Sequence, residues 1–250
     1  MAHAEQTGFI RLMRDFVFPS HGTVLEIGSY QVNENGSLRA IFSGCSYTGV
    51  DLIEGRGVDV VASGHEVNLP SDSFDVTVSA ECFEHNPLWR ETFDNMYRMT
   101  KPGGILIVTC ATRGRVEHGT SRSVKPHYSP GTTAVGWDYY MNLTQEDFER
   151  AFNISGMFSN HHFYDVRSSH DLYFFGVKSG APGPVFDTAA ITRGVDKLAK
   201  LRTSGFSHTV VRAPLGVLSR VLPDRMFQSI AVPYTKTLYR IANAVGMPVY

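Results

Sequence analysis

Two acids and a glycine, each at the end of a short apolar run, carry the most chemistry in this chain. Val24-Leu25-Glu26-Ile27 sets a carboxylate inside an apolar stretch that stops at Gly28 and passes through polar residues to Ser37-Leu38-Arg39-Ala40-Ile41-Phe42. That order reads as a buried strand, a tight turn and a helix start, the crevice where an open α/β sheet holds a nucleotide-like ligand. Tyr47-Thr48-Gly49-Val50-Asp51 is a second strand ending in an acid, about 20 residues further on, where an Asp can hold both hydroxyls of a ribose. An acid inside a buried strand is costly without a partner, so Glu26 is expected to serve a ligand. Gly28 lets the backbone approach that ligand, and Ser29 and Tyr30 line the same turn. The fingerprint G-x-G-x-x-G is absent, the next glycine after Gly28 being Gly36. A pyrophosphate needs close backbone approach at several glycines, so the turn argues against NAD or ATP and for an adenosine that is not phosphorylated.

A second group of residues could move protons. Glu84-His85 follows the apolar run Phe74–Ser79. As a neutral imidazole, His85 could accept the proton of a hydroxyl, or it could fix its loop by hydrogen bonding. His118 and His127 are the alternative bases. His161 and His162 are neighbours on an expected strand and point to opposite faces. No group with metal-ligand spacing is evident, and no metal is expected. Tyr128, Trp137, Tyr139 and Tyr140 either wall an acceptor site or pack their segment onto the sheet.

These residues need a scaffold of alternating strands and helices. Phe9, Leu12, Met13 and Phe16 have helical spacing. Strands are expected near Val24–Ile27, Tyr47–Val50, Val58–Ala62, Phe74–Ser79 and Ile105–Cys110, with a helix from the Asn86-Pro87 start signal to about Met99. Such alternation implies a doubly wound, mostly parallel sheet with helices on both faces. Residues Arg113 to Tyr140, rich in Gly and Pro, leave the end of the fifth strand, where an irregular insertion is more often functional than not. Thr144-Gln145-Glu146-Asp147 reads as a capping box. Phe158–Val166 and Asp171–Lys178 read as an antiparallel hairpin, and Gly180-Ala181-Pro182-Gly183-Pro184 as a boundary. Beyond it, Ile191, Val195, Leu198 and Leu201 space as a helix, with shorter helices near Val217–Leu222 and Ile230–Val245 broken by Pro223 and Pro233.

The order of Glu26-Ile27-Gly28-Ser29, Asn35-Gly36-Ser37, Gly49-Val50-Asp51, Glu84-His85 and Lys101-Pro102-Gly103-Gly104 resembles the class I S-adenosylmethionine-dependent methyltransferases over about residues 20 to 180. The resemblance implies a seven-stranded sheet in the order 3-2-1-4-5-7-6 and S-adenosyl-L-methionine as cofactor. It places Glu26 near the cofactor's amino group, Asp51 on the ribose, Leu52 or Ile53 on adenine and Glu66 at the adenine amine. Ala80 and Glu81 would meet the methionyl part. The expected organisation is a methyltransferase domain over 1–180, with an acceptor-side insertion at about 113–140, and a basic helical extension over 181–250. The expected reaction is methyl transfer to a small molecule or glycan, at oxygen rather than nitrogen. A non-catalytic Rossmann-like scaffold is the alternative; aminopropyl transfer lacks the paired acids it would need.

Composition bounds these readings. Of 250 residues, 42% are hydrophobic and 19% charged, as in a globular chain. Three cysteines without C-x-x-C spacing fit a reducing cytoplasm. No signal-peptide pattern or membrane-length apolar run is seen. From Ala181 onward nine Lys or Arg oppose three Asp, a charge of +6, which leaves −7 on the first 180 residues. The acidic body argues against a nucleic-acid substrate. The basic tail suggests self-docking, as in a homodimer, or peripheral contact with an anionic membrane; its scattered charges and its prolines favour protein contact.

Overall fold

The computed structural model describes residues 4–17, 21–32, 37–124, 129–201 and 206–244. Its strands are β1 Thr23–Ile27, β2 Ser46–Asp51, β3 Val60–Val61, β4 Phe74–Ala80, β5 Thr100–Ala111, β6 Phe158–Val166 and β7 Asp171–Lys178. They form one seven-stranded sheet in the order β3-β2-β1-β4-β5-β7-β6. Pairing is parallel from β3 to β5, while β7 runs antiparallel to both β5 and β6. This is the sheet of the Rossmann-like methyltransferase fold.

Side chains alternate across a strand, and that alternation divides the core. Val24, Val76, Val78, Ile105, Ile107, Tyr173 and Phe175 face one layer of packing; Leu25, Ile27, Leu106, Val108, Leu172 and Phe174 face the other. Helix α1, Ala4–Val17, covers the first face with Phe9, Ile10 and Met13. Helix α2, Trp89–Met99, covers the second with Trp89, Phe93 and Met96. Short helices α3 (Pro130–Ala134), α4 (Gln145–Ala151) and α5 (Ile154–Met157) follow β5. At the start of α4 the expected capping box forms, with Asp147 Oδ2 accepting from Thr144 N (3.0 Å) and Oγ1 (2.8 Å).

Several local expectations need correction. The run from Ser37 is not a helix: the N–H groups of Ile41, Phe42 and Cys45 donate three residues back, making consecutive tight turns that end beside Gly44 at φ +93°. Leu38, Ile41 and Phe42 bury from these turns as they would from a helix. Helix α2 starts at Trp89 rather than Pro87, because Asn86 Oδ1 accepts from Leu88 N (2.8 Å) and bends the chain first. Strand β5 starts earlier than expected, since a shift of register between Phe74 and Val76 lets Thr100 pair with Phe74.

Beyond residue 181, α6 (Thr188–Leu201) lies against α1, with Ile191 and Val195 in the core of the first face. Helices α7 (Phe206–Val221) and α8 (Asp224–Ala244) follow. Pro223 separates them, but Pro214 and Pro233 lie inside helices that continue past them. Both rings are exposed, so neither displaces core packing, and each removes one backbone hydrogen bond from its helix. Leu215, Phe227 and Ala231 pack over Val116 of the insertion. Among the described residues, no helix is long and apolar enough to cross a membrane.

Candidate active site

A cleft of about 920 Å³, counted out to its open mouth, lies beyond the carboxyl ends of β1, β2 and β4. Strand order reverses about β1, so this is the topological switch point where open α/β sheets bind ligands. The turn after β1 forms its floor. Gly28 adopts φ +86°, and a Cβ there would lie 2.7 Å from Cys82 Cβ. The amides of Gly28 and Ser29 both donate to Val50 O (2.9 and 3.1 Å). Amides that would cradle a phosphate in a Gly-rich loop are thus committed to β2. Among the described residues the lining includes the acids Glu26, Asp51 and Glu81 and no Lys or Arg.

Glu26 is buried at 6% exposure, and its Oε2 accepts from Tyr47 Oη at 2.6 Å. Burial, reinforced by Asp51 and only partly offset by the Tyr47 hydrogen bond, raises its pKa to about 8. Asp51 Oδ2 accepts from Tyr30 N (2.8 Å), and its Oδ1 from Leu52 N (2.7 Å). These bonds fix the carboxylate and leave lone pairs for a ligand; burial outweighs them and raises its pKa. A Cβ on Gly131 would come 2.9 Å from Asp51 Oδ1, so the insertion closes over this acid at a residue without a side chain. Ser29 lines the cleft with a buried hydroxyl. Tyr30 contributes its amide, while its ring lies against Gly55. Leu52 and Ala80 complete the wall.

Glu66 departs from its expected place. It is exposed, with Oε1 3.4 Å from His65 Nε2, and it does not line the cleft. After β3 the chain turns so that Val67 enters the core, and Ala62, Ser63 and Gly64 form the wall instead. Trp137 stands at this same end, 6.4 Å from the His65 ring, rather than in a wall with Tyr140. His127 and Tyr128 lie outside the described residues.

At the other end, Glu81 adopts φ +54° and directs Oε2 to Arg115 Nη2 (3.3 Å). Arg115 also donates to Asp171 Oδ1 (3.2 Å) and Ser169 O (2.6 Å). Burial opposes its charge, but Glu81 and Asp171 outweigh it and hold its pKa up. This network ties the insertion to β7, and Gln228 of α8 clamps it by donating to Arg115 O (2.8 Å) and accepting from Glu117 N (2.9 Å).

His85 sits in a 3-10 turn, Phe83–His85. Its ring meets His118 edge-on at 4.9 Å and Tyr140 at 5.4 Å. Burial pushes the His85 pKa down to about 3 and lowers that of His118 also; both imidazoles are neutral. Burial and the Glu81 charge push Glu84 well above the usual carboxylate range. One possible ligand atom from each of Glu84, His85 and His118 lies within 4.8 Å of the others. The wide sequence separation of His118 from the Glu84-His85 pair concealed this group from a reading by spacing.

Residues 25–108 match the family model described as a methyltransferase domain. That stretch runs from β1 into β5 and holds Glu26, Gly28, Asp51, Glu81 and His85. No curated protein matches the chain. Similar solved structures include phosphoethanolamine N-methyltransferase 2 of Haemonchus contortus, in complex with phosphomonomethylethanolamine and S-adenosylhomocysteine. It is 17% identical, with 69% of this chain and 52% of that one covered and a TM-score of 0.49. The CurJ carbon methyltransferase is 14% identical, with 70% and 54% covered and a TM-score of 0.47. The 1,6-didemethyltoxoflavin-N1-methyltransferase of Burkholderia thailandensis, with its namesake compound and S-adenosylhomocysteine bound, is 17% identical, with 72% and 80% covered and a TM-score of 0.47. This chain spans about half the length of the first two.

Proposed function

We propose that this chain transfers the methyl group of S-adenosylmethionine to an oxygen of a small molecule or glycan. The observation that carries this reading is the cleft lining: among the described residues it includes Glu26, Asp51 and Glu81 and no Lys or Arg, and its turn amides are already bonded to Val50. Such a surface offers a phosphate no cationic partner there, and its acids suit a ligand bearing an ammonium, a sulfonium and a neutral ribose. The match of residues 25–108 to a methyltransferase domain supports the same chemistry.

In this reading Asp51 accepts from the ribose hydroxyls and Glu26 meets the cofactor's amino group. Leu52 and the Ala62–Gly64 wall flank the adenine. Glu81 and Ala80 lie at the methionyl part, which points the sulfonium methyl toward His85. Methyl transfer is an in-line displacement for which the cofactor supplies the driving force, so the protein's task is to hold the acceptor oxygen in line and exclude water. The segment 129–137 closes the cleft beside Asp51, and the neutral groups around His85 suit a hydroxyl better than a charged amine. The test is a screen of hydroxylated small molecules and oligosaccharides with methyl-labelled S-adenosylmethionine. Label appearing as an ether supports the proposal. Label only on nitrogen, or no transfer to any acceptor by a chain that binds the cofactor, counts against it.

A further inference from the structure

The geometry points to a divalent metal site formed by Glu84, His85 and His118 at the acceptor end of the cleft. Glu84 is fully buried, and neither carboxylate oxygen has a hydrogen-bond partner among the described residues. Both ring nitrogens of His85, 3% exposed, are likewise without one. Buried polar groups are seldom left so, and these converge: one ligand atom from each of the three residues lies within 4.8 Å of the others. Ligands at about 2.1 Å from one tetrahedral ion stand about 3.4 Å apart, so modest side-chain rotations close the set.

A further feature fits a cation. His118 Nδ1 lies 3.2 Å from Val116 O, a bond that fixes Nδ1 as the donor, the usual orienting contact of a ligating imidazole. Two imidazoles and one carboxylate select a first-row ion of the zinc, cobalt or iron kind over magnesium or calcium. His85 lines the cleft, so the open coordination position faces the acceptor.

The role of this site rests on the methyl-transfer reading. A hydroxyl bound to the ion becomes more acidic. Its proton leaves to solvent, its oxygen forms the bond to the methyl carbon, and the carbon–sulfur electron pair stays on sulfur as the cofactor becomes a neutral thioether.

The test uses the full chain, freed of metal by chelation and dialysed. Zn²⁺ is titrated by calorimetry and Co²⁺ by visible absorption, for the parent and for Glu84→Gln and His118→Gln, with S-adenosylhomocysteine binding and melting temperature measured on each. One equivalent of metal should bind the parent, and each variant should bind it at least about 100-fold more weakly while still melting cooperatively. No saturable binding by the parent, or unchanged affinity in either folded variant, overturns the site. If the metal binds as described but S-adenosylhomocysteine does not, the site stands and the methyl-transfer reading falls. The reverse result removes the metal alone.

Discussion

Cofactor binding should release a proton from Glu26, and the size of the effect follows from its surroundings. The side chain faces Tyr47 across β1 and β2, with Asp51, Asp59 and Arg39 the charged groups around it, and burial carries its pKa to about 8. If an ammonium must pair with the ionised carboxylate, about a tenth of the molecules are ready at pH 7, and binding there costs about 1.4 kcal/mol. Between pH 8 and pH 6 the affinity for S-adenosylhomocysteine should fall about 50-fold, approaching one proton released per ligand bound. Above about pH 8 the ligand's own α-amino group begins to lose its charge, so affinity should peak near that pH. Glu26→Gln keeps the shape of the neutral acid. It should bind about 10- to 100-fold more weakly at pH 8 and lose the acid limb. Calorimetry in two buffers of different ionisation enthalpy reads both affinity and proton release. A flat affinity from pH 6 to 8 with no proton release, or a variant with the parent's profile, refutes the pairing. The same shift acts on folding. The folded pKa lies above the ordinary 4.5, so the stability from protonated Glu26 is complete below pH 4.5 and is lost as pH rises through about 8. The ligand-free Glu26→Gln variant should therefore gain on the parent in stability toward pH 8.

Other consequences are simpler to read. Asp51→Ala removes charge-assisted hydrogen bonds and should weaken S-adenosylhomocysteine binding by about 10- to 100-fold; equal binding by a folded variant removes Asp51 from the site. Gly131→Val places carbon against Asp51 and should raise the dissociation constant and KM for the cofactor, checked by calorimetry and steady-state rates; unchanged values would show that the insertion does not close there. Arg115→Met leaves Glu81 and Asp171 buried beside each other and should cost about 3–5 kcal/mol of stability in denaturant unfolding. Ile191→Ala should cost about 2–5 kcal/mol if α6 belongs to the core of the first face, and a loss below about 1 kcal/mol would contradict that packing.

Where a residue's position depends on neighbours close in the chain, it was legible from the sequence. Glu26, Gly28 and Asp51 end adjacent parallel strands, so a run of apolar residues and the residue that stops it place all three at one crevice. The hairpin Phe158–Val166 with Asp171–Lys178 was equally plain, since β-branched and aromatic residues dominate both arms. Glu66 was misplaced because the turn after β3 is decided by which residue reaches the core, Val67, and a single step of register moves an acid from cleft to solvent. The run from Ser37 kept its buried positions but not its helix, since consecutive i−3 turns bury the same positions as a helix and periodicity does not tell the two apart. Pro233 misled in the opposite sense: α8 continues past it at the loss of one backbone hydrogen bond. His118 meets Glu84 and His85 only because Arg115 and Gln228 fold the insertion back, contacts made across the chain and invisible to any spacing rule.

The account turns on what the acid-lined cleft binds. Calorimetric titration of the full chain with S-adenosylhomocysteine, NAD and ATP, each repeated on Asp51→Ala, tests it most directly. One equivalent of S-adenosylhomocysteine should bind the parent, weakened in the variant, while NAD and ATP give no saturable heat. No heat with S-adenosylhomocysteine, or tight binding of either phosphate-bearing ligand, would contradict the assignment of the cleft.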